Sequence, residues 1–418
     1  MNLRRTAKKD KEKIMEIYNQ AKAYFKENNI DQWQDGYPNQ DSLEADCQSG
    51  ISYIAEENGA VIATAAVIFG TEKTYDIIYE GSWLSDAKKY GIIHRIAVAA
   101  EEKGKEVAVW LLGQAESMCR ARGARYMRAD THEDNKSMQR LLAKCGYQRC
   151  GIIYLEDGAK RIAYEKRIEA LILEGCVDSV ESAIAAFRGG ADRLELCSGL
   201  VIGGLSPSVA LFDRVKAYVD IPVRVLLRPR FGDFLYSEEE MGILEAEVRE
   251  FVKHGADGIV IGCLKGDGTI DEEKMRRLIE AAQGAGVTLH RAFDMTREPM
   301  EALFTAKELG VDTILTSGQK DNARNGKELL NELAGAAGEI DIMAGAGIDA
   351  AVIEELLLET ELQAFHMSGK VTLPSRMEWR QEKIGMGLPG ISEYEIFRTD
   401  EEKVRKAKKL MAKCTKTR

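Results

Sequence analysis

Short apolar runs alternate with amphipathic helical segments from about residue 170 onward, and this repetition constrains the fold more than any other feature. Eight such runs recur, spaced roughly 20–35 residues apart, which is the length of a βα unit. Several runs follow a Gly-Ala-Asp or Gly-Val-Asp sequence, and a glycine that closes a helix is typical of the turn into the next strand. The pattern predicts a closed (β/α)₈ barrel. The predicted strands are Ala170–Cys176, Arg193–Cys197, Val223–Leu227, Gly258–Gly262, Val287–Arg291, Thr313–Thr316, Asp341–Ala344 and Gln363–Met367.

The chain has 418 residues, which is more than the roughly 250 that one α/β barrel needs. Before the barrel, helical and strand patterns mix irregularly. We therefore predict an α/β protein of two domains: an α+β domain over residues 1–167 and a TIM barrel over residues 168–418.

Composition excludes several classes of function. The net charge is −10, and no basic stripe with interleaved aromatic residues occurs, so nucleic-acid binding is not expected. No apolar run approaches the roughly 18 residues of a membrane span, and the charged N-terminus has no apolar signal region. The eight cysteines form no CxxC pair, which favours a reducing cytoplasm. We expect small-molecule substrates and leave a homo-oligomer open.

Polar residues stand at the ends of the predicted barrel strands, where parallel strands are normally apolar throughout. Because side chains alternate along a strand, the polar residues of each strand end are expected to share one face. In a barrel, the C-terminal strand ends carry the chemistry. The candidate catalytic residues are Glu174, Glu195, Arg228, Arg230, His290 and Asp294, with the thiols Cys176 and Cys197 beside them.

This set of residue types is suited to an anionic organic substrate. Arg228 and Arg230 would hold the anion, and His290 or Glu195 would serve as acid or base. The Gly345–Gly347 turn could present backbone N–H groups to a phosphate. Alternatively, Glu195 and Arg228 form an internal ion pair, and each cysteine is a small buried hydrophobic residue.

A strand–loop–helix pattern marks the N-terminal half. Residues Ile93–Val98 alternate like a strand, and a helix with one apolar face is expected from Val107. The loop between them lies at a helix N-terminus, where free N–H groups and the helix dipole can hold a pyrophosphate.

With the downstream block Asp134–Tyr147 (DNKSMQRLLAKCGY), this pattern resembles the GNAT N-acetyltransferase family over about residues 1–167. The resemblance implies acetyl-CoA as cofactor and transfer of acetyl to an amine. Two positions depart from the family: Glu106 stands where a loop glycine is usual, and Leu142 where a tyrosine acid is often found. If these departures abolish activity, the domain is a degenerate acyl-CoA-binding module. The residues that the resemblance assigns to the cofactor are Ile96, Val98, Lys103, Gly104, Lys105, Val107, Ala108 and Asn135.

The barrel half resembles the CutC copper homeostasis family. The matching motifs are GGADRLELC (Gly189–Cys197), GGLSPS (Gly203–Ser208), RPRFGDFLYS (Arg228–Ser237), HRAFDM (His290–Met295) and LTSGQ (Leu315–Gln319). The resemblance implies a TIM barrel that handles copper, with Cys176 and Cys197 as ligands. Two thiolates on adjacent strands could bind Cu(I). That ion has no need of the arginines, so an enzyme for a phosphorylated or carboxylated metabolite is the competing hypothesis.

Overall fold

The computed structural model describes residues 1–168, 171–381, 384–385 and 392–414. They form two compact units, Met1–Ala170 and Leu171–Arg418. Ala170, at which the first barrel strand was predicted to begin, lies outside the described residues. Within the described ranges, no helix combines the length and the apolar character that crossing a bilayer requires.

A seven-stranded sheet forms the first unit, in the order β1-β2-β3-β4-β5-β7-β6. The strands are β1 (Asn2–Arg5), β2 (Ser52–Glu57), β3 (Ala60–Gly70), β4 (Tyr90–Val98), β5 (Tyr126–Thr131), β6 (Gln148–Tyr154) and β7 (Lys160–Arg167). The helices are α1 (Lys11–Glu27), α2 (Gln40–Gln48), α3 (Val107–Ala121) and α4 (Lys136–Lys144). The predicted helix start at Val107 is confirmed.

The parallel strands β4 and β5 separate soon after they meet. Their pairing comprises Gly91 with Met127 and Ile92 with Arg128, although β4 continues to Val98. Along its other edge β4 pairs with β3, with a bulge that displaces the register before Ala97. The later part of β4 therefore has an edge that β5 does not cover.

Eight parallel strands close the barrel of the second unit. They are β8 (Ile172–Val177), β9 (Arg193–Leu196), β10 (Val223–Leu226), β11 (Gly258–Ile261), β12 (Gly286–Leu289), β13 (Thr313–Thr316), β14 (Asp341–Ala344) and β15 (Ala364–Met367). The helices are α5 (Val180–Gly189), α6 (Val209–Lys216), α7 (Glu238–Lys253), α8 (Glu272–Ala281), α9 (Pro299–Glu308), α10 (Lys327–Ala336), α11 (Ala350–Glu359) and α12 (Glu401–Cys414). A hairpin of β16 (Lys370–Pro374) and β17 (Glu395–Thr399) precedes α12. The predicted TIM barrel is confirmed.

Short polar side chains begin several of the barrel helices. Ser237 and Glu240 form a reciprocal capping box at α7, which satisfies first-turn N–H groups that have no helical partner. The same hydroxyl or carboxylate capping occurs at Ser179, Ser208, Asp271 and Asp349. Each cap fixes where a βα loop ends and its helix begins.

Charged side chains inside the barrel are paired. Arg193 Nε donates to Glu174 Oε2 at 2.5 Å, and both side chains are fully buried. Arg224 Nη1 donates to Asp312 Oδ1 at 2.7 Å and to Thr288 Oγ1 at 2.6 Å. Such pairs offset the large cost of removing charges from water.

Four strands, the second to the fifth of the barrel, end one or two residues earlier than predicted, at Leu196, Leu226, Ile261 and Leu289. Because the third and the fifth are shortened in this way, Arg228, Arg230 and His290 lie in the following loops. Strand alternation therefore does not apply to them, and the prediction that the two arginines share a strand face was wrong.

Candidate functional site

A cavity of about 380 Å³ opens at the C-terminal ends of the barrel strands. Such a cavity is the expected location of a barrel active site. Its polar lining comes from five strand ends: Cys176, Glu195, Arg228, His290, Arg291 and His366. Its apolar lining includes Leu200, Leu226, Phe234, Leu315, Ile348 and Met367.

Arg228 carries a buried charge without a carboxylate partner among the described residues. Its side chain donates to the carbonyl oxygens of Gly204 at 3.2 Å and Gly232 at 2.7 Å, with a longer contact to Ile202. The residue is only 8% exposed, and its Nε has no hydrogen-bond partner. Carbonyl dipoles orient this guanidinium but leave its charge uncompensated.

His290 directly follows β12 and is 5% exposed. Its Nδ1 accepts a hydrogen bond from the backbone N–H of Ala292 at 3.1 Å, and its Nε2 is buried without a partner. Burial and the charge of Arg228 lower the pKa of His290 to about 3. The imidazole is therefore neutral at physiological pH.

Glu195, Cys176 and His366 lie together on one side of the cavity. One ligand atom from each lies within 4.8 Å of the other two. The Cys176 thiol donates to Glu195 Oε1 at 3.6 Å, whereas Glu195 Oε2 is buried without a partner. Burial, and the nearby charge of Glu174, raise the pKa of Glu195.

Glu174 lies beneath this cluster and orients His366. It accepts from His366 Nδ1 at 2.7 Å and pairs with Arg193. Burial alone would raise the pKa of Glu174, but Arg193 and His366 hold it below its usual range. Burial opposes protonation of His366, but the Glu195 carboxylate and the hydrogen bonds to Cys176 and Glu174 raise its pKa well above the ordinary value. The imidazole is thus a fixed cation.

The loop before α3 in the first unit has a glycine-like backbone at Glu106, although glutamate replaces the usual glycine there. Glu106 adopts a left-handed conformation, with φ of 63°, which glycine normally occupies. Its carboxylate is exposed and pairs with Lys144 of α4. Gly104 is also left-handed, and the Lys103 ammonium lies 4.2 Å from the ring centre of Tyr24.

Asn135 caps α4 rather than standing free. Its Oδ1 accepts from Met138 N at 3.0 Å, and its Nδ2 donates to Gln32 Oε1 at 2.9 Å. Leu142 is fully buried in the hydrophobic core of this unit. The position of the expected tyrosine is therefore part of the core.

Relatives of known sequence match the second unit over most of their own length. Residues 171–371 match the CutC family. A human copper homeostasis protein cutC homolog is 45% identical over 236 residues, which cover 56% of this chain and 86% of that protein. The chain belongs to the CutC family. A solved CutC structure from Streptococcus agalactiae is 27% identical, with a TM-score of 0.46, and covers 47% of this chain and 98% of that one.

Residues 13–147 match the acetyltransferase (GNAT) family. A solved GNAT-family acetyltransferase from Streptococcus agalactiae is 37% identical, with a TM-score of 0.37, and covers 40% of this chain and 94% of that one. The chain therefore joins a GNAT acetyltransferase-like unit to a CutC-family barrel.

Four predicted residues of the CutC-family barrel lie outside the cavity lining: Glu174, Cys197, Arg230 and Asp294. Arg230 pairs with Glu240 and Asp233 on the surface. Asp294 accepts from the backbone N–H of Ser317 and from Thr316 Oγ1, and pairs with Arg291. These hydrogen bonds hold the start of the loop after β13 in place.

The two predicted cysteines are both buried and contact each other, but of the two it is Cys176 that lines the cavity. Cys197 is fully buried and packs with Leu226 and Val260. The Cys197 thiol donates to the carbonyl of Val177 at 3.6 Å. Contact with Cys197, together with burial, raises the pKa of Cys176 well above its ordinary value.

Sequence reasoning missed Phe234 and Arg291 in the cavity wall. Both lie in motifs identified in the sequence, and Arg291 was the last residue of the predicted fifth strand. In the structure it begins the 3₁₀ turn Arg291–Met295 instead. The pairing of His366 with Glu174 depends on the closing of β15 onto β8, which no local pattern in the sequence indicates.

Proposed function

We propose that the CutC-family barrel binds and acts on a small anionic metabolite. The observation that carries this proposal is the unpaired charge of Arg228 at the cavity wall. A buried cation whose hydrogen bonds go only to neutral carbonyl groups is costly, and an anionic ligand would offset that cost. Arg193, Arg224 and Arg230, by contrast, each have a carboxylate partner.

The cavity also offers the groups that a reaction on such a ligand needs. Glu195 has a free carboxylate oxygen and a raised pKa, which suits a general acid or base. The cationic His366 stands beside it. The loop residues Ala346 and Gly347 complete the wall, although Gly345 N–H is occupied by the carbonyl of Thr316 at 2.9 Å.

Calorimetric titration of the full chain with pyruvate, oxalate and 2-phosphoglycolate tests the proposal. Arg228→Met is expected to lose at least about tenfold in affinity for the anion that binds, because an unpaired buried cation supplies the attraction. Arg230→Met is the matched control, with the same substitution at an arginine that already has partners, and should keep wild-type affinity. Equal affinity in all three proteins, or no saturable binding of any probe, contradicts the proposal.

A metal site is the second candidate, favoured by the cluster of Cys176, Glu195 and His366. One thiol, one carboxylate and one imidazole form a borderline donor set, which fits Zn²⁺ better than Cu(I), an ion that favours several sulfur ligands. Copper as a cargo, which the name of the human relative suggests, would require the Cys176 thiol to release its proton to solvent so that the thiolate sulfur can bind the metal.

Anaerobic Cu(I) and Zn²⁺ titrations against a competing chelator distinguish these possibilities. If the cluster binds metal, Cys176→Ser should abolish tight binding, and Cys197→Ser should leave most of it, since Cys197 does not face the cavity. Equal loss in both variants would favour the two-cysteine copper site instead. Unchanged weak binding in both would exclude a thiol-dependent metal site.

We also infer that the GNAT-like unit binds acetyl-CoA and transfers acetyl to an amine. The uncovered edge of β4 at Ile96–Val98 offers backbone groups to the acyl chain, and the first turn of α3 offers N–H groups to the pyrophosphate. The Glu106 carboxylate pairs with Lys144, which reduces its repulsion of an anion. The cofactor would supply the activated acetyl group.

Titration with acetyl-CoA tests this inference. Lys144→Met is expected to weaken binding by severalfold, because it frees the Glu106 charge beside the pyrophosphate. Glu106→Gln in the same background should restore the affinity. Failure of the wild-type chain to bind acetyl-CoA contradicts the inference.

A further inference from the structure

The environment of His290 fixes which of its nitrogens carries the proton. The Ala292 N–H donates to Nδ1 at 3.1 Å, so Nδ1 must keep its lone pair free. The single proton of the neutral ring is therefore on Nε2. As long as this backbone bond is made, the imidazole acts as a hydrogen-bond donor at Nε2 and cannot accept a proton at Nδ1.

The orientation of the ring is fixed as well. A Cβ atom at position 262 would lie 2.5 Å from His290 Cε1, so only glycine at Gly262 leaves room for the ring. The Phe234 ring packs on it with centroids 4.9 Å apart. His290 belongs to the cavity lining, and its Nε2 is buried without a hydrogen-bond partner.

Two side chains of the cavity lining that keep a buried nitrogen without a hydrogen-bond partner, Arg228 at Nε and His290 at Nε2, lie against one aromatic ring. The Arg228 guanidinium carbon is 5.1 Å from the centre of Phe234, and His290 contacts the same ring. One donor is charged and the other is neutral. A charged donor suits a full anion, and a neutral, pre-oriented N–H suits an oxygen that gains charge only during a reaction.

We infer that His290 donates its Nε2 proton to a carbonyl oxygen of the substrate, next to the anionic group held by Arg228. The substrate is thus an oxo acid or an oxo phosphate, and His290 is a donor to its carbonyl rather than a base. This inference rests on the proposed anion site and adds the second functional group of the ligand.

Matched ligand pairs test the carbonyl. Pyruvate and propionate share a carboxylate and differ in the oxo oxygen, and acetonylphosphonate and propylphosphonate form the corresponding phosphonate pair. The oxo ligand of one pair is expected to bind the full chain about tenfold more tightly than its saturated analogue, the value of one hydrogen bond to a buried donor. The pair that binds identifies the anion as carboxylate or phosphonate-like. His290→Phe should reduce this ratio to near one.

The wild-type chain provides a test that needs no variant to fold. It contains five histidines, so nitrogen-15 labelling gives few imidazole signals. The His290 signal, assigned by its absence in His290→Phe or by its contact with Phe234, should show a neutral Nε2–H ring from pH 8 to pH 5. Its Nε2 proton should shift when the oxo ligand binds.

Three other results would each contradict one part of the inference: the donor, the carbonyl group or the anion site. An Nδ1–H tautomer, or a His290 imidazolium formed near neutral pH, overturns the assignment of the donor. Equal, Arg228-dependent binding of oxo and saturated ligands overturns the carbonyl inference and leaves the anion site standing. Absence of Arg228-dependent binding for all four ligands overturns the anion site and the inference together.

Discussion

Arg193 begins the barrel strand β9, and Arg228 lies in the loop after the neighbouring strand β10. Their surroundings differ in a way that separates a structural charge from a candidate binding residue. Arg193 is fully buried and has Glu174 at 2.5 Å. Arg228 is nearly as buried and has only carbonyl partners among the described residues. A protein interior can bury a charge at tolerable cost when a partner is built in. Where the partner is missing at a cavity wall, a ligand is the natural counter-charge.

Breaking the buried ion pair between Arg193 and Glu174 should have the largest effect on stability. Arg193→Leu removes the arginine partner of the buried Glu174, and we expect a loss of about 3–5 kcal/mol in the free energy of unfolding. Urea unfolding followed by circular dichroism measures it. Arg228→Met, which strands no carboxylate, should lose less than about half as much. A loss as large for Arg228→Met would erase the contrast between the two regions.

Asp294 extends the comparison between structural and binding residues. It was predicted to be catalytic, but in the structure it holds the loop after β13. Asp294→Asn weakens charge-assisted bonds to Ser317 and Thr316, and we expect a loss of about 1.5–3 kcal/mol in unfolding free energy. Because the side chain does not line the cavity, anion affinity should fall far less than in Arg228→Met. A loss of affinity that equals the Arg228→Met loss, at unchanged stability, would restore a catalytic role.

The lowered pKa of His290 makes the free energy of unfolding depend on pH. In the unfolded chain a histidine binds a proton below about pH 6.5, whereas folded His290, with a pKa of about 3, does not. Folding stability is therefore lost as pH falls from 6.5, by about 2 kcal/mol at pH 5. Arg228 is the charged group that faces this ring.

His290→Phe has no such titration. The difference in unfolding free energy between variant and wild type should therefore change by about this amount between pH 7 and pH 5. A pH-independent difference would contradict the neutral, buried imidazole.

The smallest expected effect concerns the first unit. Glu106 pays for a left-handed backbone that glycine adopts freely, so Glu106→Gly should gain about 0.5–1 kcal/mol. Ala108→Gly, in the first turn of α3, should lose about as much. Three of the four tryptophans lie in this unit, so fluorescence-detected unfolding reports on it. Equal losses in both variants would show that Glu106 is not strained.

The barrel itself was predictable from the sequence, because strand and helix periods repeat eight times. The members of the site were only partly predictable. Cys176, Glu195, Arg228 and His290 do reach one cavity, but Arg230, only two residues after Arg228, does not. The outcome depends on where β10 ends, which is Leu226, and on Glu240, whose side chain also caps α7. The residue at which a strand ends, and the partner that a side chain finds in the folded protein, leave no local pattern in the sequence.

The stability of wild type and Arg228→Met, measured with and without the anion that binds, tests the central claim most directly. A ligand at 100 times its dissociation constant should stabilise the wild-type fold by about 2.7 kcal/mol. Under the same concentration Arg228→Met should gain little, and without ligand it should be nearly as stable as wild type. An equal gain in both proteins would contradict the claim that the unpaired Arg228 charge is the anion site.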